Sequence, residues 1–200
     1  MTRINRRHPL RIIAGKHKGA ALYGPKGLEV RPTSDRVKEA LFNILAPHLE
    51  GASFLDLFAG SGAIGLEAYS REAARVVAVE LAHEKLLRKN MAKLKIGPDE
   101  GFSLAARDAF AVMVQMRRDG DRFDIIYADP PWGAGMEERI LASAAPLLAS
   151  DGQLILEINK RTNHPDGAPY GLALADTRKY GRTALAFYQS ARPDPASSVG

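Results

Sequence analysis

FLDLFAGSGAIGLEA, residues 54–68, reads as an apolar strand, a glycine-rich turn and the opening of a helix. Gly60, Gly62 and Gly65 match the spacing G-x-G-x-x-G, and Glu80 follows at the end of the next apolar run, RVVAVE (75–80). In a Rossmann-like fold such a turn brings the backbone close to a nucleoside cofactor, and the later acid accepts both ribose hydroxyls. Glycine serves there because a Cβ would collide with the ligand. A turn needed only for strand–helix packing would explain the glycines but not Glu80. The spacing also fits NAD. Asp56, inside the end of the first strand, distinguishes the two ligands. A carboxylate there opposes a pyrophosphate but suits a cationic amino-acid moiety, directly or through water. S-adenosylmethionine carries such an ammonium, and a sulfonium besides.

Outward from this turn, strand and helix alternate. FSLAAR (102–107), FDIIYAD (123–129) and GQLILEI (152–158) read as further strands, with helices predicted at 63–71, 82–94, 109–118 and 136–148. Apolar runs separated by amphipathic helices predict a parallel, doubly wound α/β sheet covered on both faces. The last two strands, LALADTRKYG (172–181) and RTALAFYQ (182–189), are joined by a tight turn near Gly181 and predict an antiparallel edge hairpin, making seven strands. Val37, Ala40, Leu41, Ile44 and Leu45 recur at helical spacing ahead of the first strand, with Thr33 or Ser34 as cap and Pro47 as stop. Asp108, in AARDAF, is placed either to cap the helix after it or to accept the amino proton of an adenine, with Ala109 and Phe110 alongside the ring; the two roles are compatible.

The fourth strand ends in Asp129-Pro130-Pro131-Trp132. Ligands of open α/β sheets collect at such carboxyl ends. Two prolines stiffen the turn, and Pro130 keeps a carbonyl acceptor although it has no N–H. The set suits methyl transfer to an exocyclic amine of a base, whose lone pair is conjugated into the ring. The Asp129 carboxylate and the Pro130 carbonyl would hold the two N–H groups and favour a pyramidal nitrogen. Trp132 would stack on the base, a contact worth about 1–3 kcal/mol. The contribution is orientation and negative charge placed where positive charge develops. A base in structured nucleic acid must leave its stack to enter. The plainer alternative is a rigid turn whose tryptophan plugs the core.

Charge is uneven along the chain. Residues 1–40 hold ten Lys and Arg against three acids, a net +7, whereas the other 160 residues sum to −2. A concentrated positive field suits a polyanion, because neutralised phosphates release condensed counterions; a solvated basic end is the alternative. Arg11, Lys16, Lys18, Arg31 and Arg36 are the candidate phosphate contacts, with local pairing of Arg31 and Arg36 to Asp35 or Glu39 as the competing reading. Residues 10–14 and 20–23 predict a small basic hairpin within an extension spanning 1–30, and 191–200 is expected to be a frayed tail. With 46% hydrophobic and 26% charged residues, the 200-residue chain reads as one ordinary domain, not a disordered or coiled-coil protein. It has no Cys, and its five His are scattered, which disfavours thiolate chemistry and structural zinc. No apolar run reaches membrane-spanning length and no signal core is evident, so a cytoplasmic protein is expected.

Taken together, the glycine turn and DPPW resemble the amino-methyltransferases of the S-adenosylmethionine-dependent, Rossmann-like class I fold. Within that group RIIAGKHKG, RPTSDRVKEALFNIL, FLDLFAGSGAIGLEA and RKYGRTALAFY resemble the RsmD-type 16S rRNA (guanine-N2)-methyltransferases, over residues 10–189. The resemblance implies a methyltransferase domain over 31–190 that methylates one guanine of 16S rRNA in the 30S particle or its assembly intermediate. It implies S-adenosylmethionine as cofactor, Thr33 over that cofactor, the basic hairpin facing RNA, and a metal-free monomer. Trp132 stands where Tyr or Phe is commoner; all three stack. Arg182 and Tyr180, in the edge turn, would help place the base. A DNA adenine-N6 methyltransferase shares the turn but usually needs a larger recognition segment. A non-catalytic RNA-binding assembly factor that kept the cofactor fold is the third alternative.

Overall fold

The computed structural model describes residues 10–25, 35–97 and 100–191. Thr33, Arg31 and the 192–200 tail lie outside the described residues. Seven strands form one sheet: β1 (Ser53–Leu57), β2 (Arg75–Val79), β3 (Phe102–Ala105), β4 (Phe123–Ala128), β5 (Leu148–Asn159), β6 (Leu172–Tyr180) and β7 (Thr183–Ser190). Their order is β3-β2-β1-β4-β5-β7-β6. Strands β1 to β5 are parallel, and β7 runs antiparallel between β5 and β6. Chain order reverses between β1 and β4, so the switch-point crevice opens at their carboxyl ends, where the glycine turn and DPPW lie.

Among the described residues, five α-helices cover the sheet: α1 (Asp35–Leu45), α2 (Ala63–Ser70), α3 (Glu84–Lys93), α4 (Ala109–Asp119) and α5 (Glu137–Ala144). Alternating strand residues divide between two cores. Phe54, Val76 and Ala78 face α1, α2 and α3, whereas Leu55, Leu57, Val77 and Val79 face α4 and α5. This two-sided burial is why the strands read as continuous apolar runs.

Two expectations need correction. The helix expected over 136–148 stops at Ala144, and a 3-10 turn over Ala145–Leu147 leads straight into a strand that starts four residues early. Pro146 cannot donate the N–H that a continuing helix needs, and Leu148 already pairs with Phe123. The N-terminal hairpin is an arm with one isolated bridge, Arg11 to Ala21, in place of two strands. Its two limbs still pair, Ile12 N–H donating to the Ala20 carbonyl at 2.9 Å and Leu22 N–H to the Leu10 carbonyl at 2.7 Å. Further bonds tie it to α2: Ile13 and Ala14 N–H donate to the Glu67 carboxylate at 2.7 and 2.9 Å, and His17 N–H donates to Ser70 Oγ at 2.9 Å. Gly15 has φ +79°, and a Cβ there would lie 1.7 Å from the Ser70 carbonyl oxygen. The arm is thus pressed onto α2, where a non-glycine residue would not fit.

Candidate active site

A cavity of about 460 Å³ opens at the carboxyl ends of β1, β2 and β4. Asp56, Gly60, Glu80, Asp108, Ala109, Asp129, Pro131 and Trp132 all line it. Eight of the expected cofactor and catalytic residues therefore converge on one space. Pro130 is buried and Gly62 serves packing; neither is among the lining residues. Gly62 starts α2 with φ +79°, and a Cβ there would stand 2.9 Å from Leu87 Cγ. The approach of α3 thus accounts for a glycine here.

Glu80 holds the turn from beneath. One carboxylate oxygen accepts from Gly60 N–H and the other from His83 N–H, both at 2.8 Å. A carboxylate offers about four lone-pair sites, so these two bonds leave acceptors for a pair of hydroxyls in the cavity. Asp108 caps α4 by accepting from Ala111 N–H at 2.9 Å, and it also lines the cavity, as the compatible readings allow. Trp132 is 40% exposed, which excludes a core plug and leaves a ring face free to stack.

Carboxylates crowd the floor. Burial, followed by the charges of Glu157 and Asp56, pushes Asp129 well above the usual carboxylate range. Asp56 is pushed up to about 7 by burial, against a lowering bond from Gly65 N–H at 2.8 Å. Glu157 itself takes the Tyr127 hydroxyl and, at 3.3 Å, the Thr183 hydroxyl. Such a floor favours a cationic guest, which restores the charged forms. The residues present thus fit S-adenosylmethionine better than a dinucleotide.

A stability prediction follows from the sign of the Asp56 shift. The folded, ligand-free protein holds a proton that the unfolded chain releases near pH 4. The stabilisation is present below that pH and is lost as pH rises to about 7, at roughly 1.4 kcal/mol per pH unit. Asp56→Asn keeps an acceptor for Gly65 N–H and removes the titration. Denaturant unfolding between pH 4.5 and 7.5 should show a shallower decline in the variant; equal slopes would refute the assignment.

The proposed RNA contacts lie elsewhere. Arg11, Lys16, Lys18 and Arg36 are exposed on the arm and α1. Asp35 pairs with Arg11 at 3.4 Å, not with Arg36 as the local-pairing reading expected. Lys16 Nζ sits 3.4 Å from the Tyr69 ring centroid. Arg182 is exposed in the β6–β7 turn, at the same end of the sheet as DPPW, whereas Tyr180 is partly buried against the core under α1.

Some features escaped the sequence reading. Glu157, the one charge in the apolar run 152–158, is 4% exposed beneath the site. Asn90 interrupts the apolar stripe Leu87–Leu94 of α3 and is fully buried. Lys85, Arg88, Lys89, Lys93 and Lys95 are exposed on or just after α3, on the same face of the sheet as the arm. A charge count over 84–95 would have found them, because Glu84 is the single acid there.

With this geometry, the chain matches known proteins over nearly its whole length. A relative from Escherichia coli (strain K12), ribosomal RNA small subunit methyltransferase D, is 37% identical over 184 residues, covering 90% of this chain and 89% of its own. A solved structure of a candidate methyltransferase from Escherichia coli, yhhF, superposes with a TM-score of 0.78 at 36% identity, covering 92% of this chain and 98% of its own. A more distant candidate methyltransferase, solved in complex with SAH, shares the fold at a TM-score of 0.63 and 16% identity, covering 85% of this chain and 58% of its own. The family model described as conserved hypothetical protein 95 matches residues 10–189, and the chain belongs to that family, the one that includes the small-subunit rRNA methyltransferases D.

Proposed function

We propose that this protein is an S-adenosylmethionine-dependent methyltransferase that modifies the exocyclic N2 of a guanine in 16S rRNA, within the 30S particle or its assembly intermediate. The observation that carries this reading is the shared cavity: Asp129, Pro131 and Trp132 face the same space as Glu80, Gly60 and Asp56. When bound there, the cofactor supplies an electrophilic methyl group on a sulfonium. Glu80 would take its ribose hydroxyls, Asp108 its adenine amine, and Asp56 would oppose its positive charge. Asp129 and the Pro130 carbonyl would accept the two N–H groups of the target amine. That orients the nitrogen lone pair and stabilises the positive charge it gains. Trp132 would fix the base plane by stacking.

The partner reading rests on charge. The arm, α1, α2 and α3 carry nine bases and four acids, against three of each on α4 and α5 across the sheet. One face is therefore suited to phosphates, and it includes α3. Digesting the product of a reaction with labelled S-adenosylmethionine and stripped 30S particles should yield N2-methylguanosine. N6-methyladenosine, from RNA or DNA, would instead select the adenine reading, because the same turn can hold that amine.

Binding to 16S rRNA should weaken steeply with salt. Each lysine lost from the contact surface lowers the log–log salt slope by about 0.7–0.9. Substituting Lys16, Lys18, Lys89 and Lys93 together with alanine should lower it by about 3. A filter-binding series with an unchanged slope would remove this face from the interface.

A further inference from the structure

Asn90 occupies a core position of α3 yet carries an amide, and the side-chain bonds of that amide leave the helix. Its Nδ2 donates to the Ser61 carbonyl at 2.8 Å and to the Tyr23 carbonyl at 3.0 Å, while its Oδ1 accepts from Tyr23 N–H at 2.7 Å. One fully buried side chain thus joins the arm to the glycine turn. Both ends of the link reach the cavity. Ser61 lines it directly, and two residues beyond Tyr23, Pro25 forms another part of its wall. The first turn of α3 contributes too, through His83 and Leu86. On the outer side of the link, Lys93 Nζ stands 4.6 Å from the centroid of the Tyr23 ring, which is itself 52% exposed. The RNA-facing surface and the cofactor wall therefore meet at a single amide.

We infer that Asn90 is a positioning residue that couples cofactor binding to RNA binding, by holding the Tyr23–Pro25 segment of the arm in register with the Ser61 peptide. This rests on the RNA and cofactor reading above. A ligand that packs against Ser61 and Pro25 favours the docked arm, and the docked arm presents its cations and those of α3 as one surface. Each ligand pre-orders what the other needs, so the coupling is positive and reciprocal. The other polar ties of the arm, at Glu67, Ser70 and Lys38, touch α2 and α1 but not the glycine turn. They hold the arm without reporting on the cavity.

The experiment uses the full chain, S-adenosylhomocysteine as the cavity probe and unmodified 16S rRNA transcript as the RNA probe. Saturating S-adenosylhomocysteine should tighten RNA binding by the wild type about 5-fold or more, within the usual range of such couplings. Asn90→Ala should bring that factor to about 1, and Asn90→Asp, which keeps the acceptor for Tyr23 N–H but loses both donations, should lower it similarly. Ser70→Ala should weaken RNA binding with the factor retained. Hydrogen exchange supplies a readout independent of RNA: S-adenosylhomocysteine should protect the Tyr23 amide in the wild type and not in Asn90→Asp. A folded Asn90 variant that keeps the full factor, or a wild type that binds both probes without mutual effect, overturns the inference. If the wild type ignores RNA altogether, the RNA reading fails instead. The exchange result then decides the link alone, and absent protection of Tyr23 ends it.

Discussion

Asp129→Asn is expected to lower the turnover number for methyl transfer by about 10²–10³-fold, the usual effect of removing one preorganised electrostatic partner of the reacting group. The substitution conserves volume, so the loss reports chemistry. A carboxylate accepts both from the amine and from the charge developing on it; an amide presents an NH₂ that competes with the N–H groups it should receive. Stability should move the other way. Burial and the charges of Glu157 and Asp56 raise the proton affinity of Asp129, and neutralising Asp129 relieves that repulsion. The variant should therefore melt no lower than the wild type above pH 6, while its single-turnover rate collapses. The wild-type rate should also rise with pH above the ordinary carboxylate range, as Asp129 loses the proton that burial favours, and this part of the profile should be missing from the variant. A variant within tenfold of wild type would place the amine somewhere other than the DPPW turn.

What the sequence made legible was local. The glycine turn, the strand that precedes it and the acid that follows lie within 27 residues, and periodicity reports each directly. The edge hairpin is equally local, because β6 and β7 are joined by a two-residue turn. DPPW could be placed because a parallel strand ends where its crevice begins. Glu157, Asn90 and Glu67 were opaque for one common reason: their partners are distant in the chain. Tyr127 is 30 residues from Glu157, Tyr23 is 67 from Asn90, and Ile13 is 54 from Glu67. A polar residue in an apolar stripe signals only that some partner exists, since a buried polar group is rarely left unpaired. The pairing of the arm's two limbs was legible because it is local, but its docking was not, since the carboxylate that takes two of its N–H groups belongs to α2.

That carboxylate carries the largest stability prediction. Glu67 is fully buried and receives Ile13 and Ala14 N–H, Arg71 Nε at 2.8 Å and Lys38 Nζ at 3.3 Å. Lys38 is equally buried and also donates to the Arg11 carbonyl. The two partners are not equivalent. Removing Lys38 leaves Glu67 with a guanidinium and two amides. Removing Glu67 leaves an ammonium in the core, and loss of one partner of a buried pair costs about 3–5 kcal/mol. At 2–4 °C per kcal/mol for a chain of this size, Glu67→Ala should lower the melting temperature by roughly 6–20 °C. Lys38→Met, similar in volume, should cost under about 1.5 kcal/mol. Burial already holds the Lys38 ammonium below its ordinary pKa, and Glu67 works against that shift. Without Glu67 the folded state binds its proton more weakly still than the unfolded chain, so stability rises with pH. The defect of Glu67→Ala should therefore shrink between pH 7 and pH 9.5, and the double variant Lys38→Met/Glu67→Gln should recover much of it at neutral pH. Calorimetry showing equal costs for Lys38→Met and Glu67→Ala, with no pH dependence in either, would mean that the arm is held by its apolar contacts at Leu10, Ile12 and Leu22 and not by this pair.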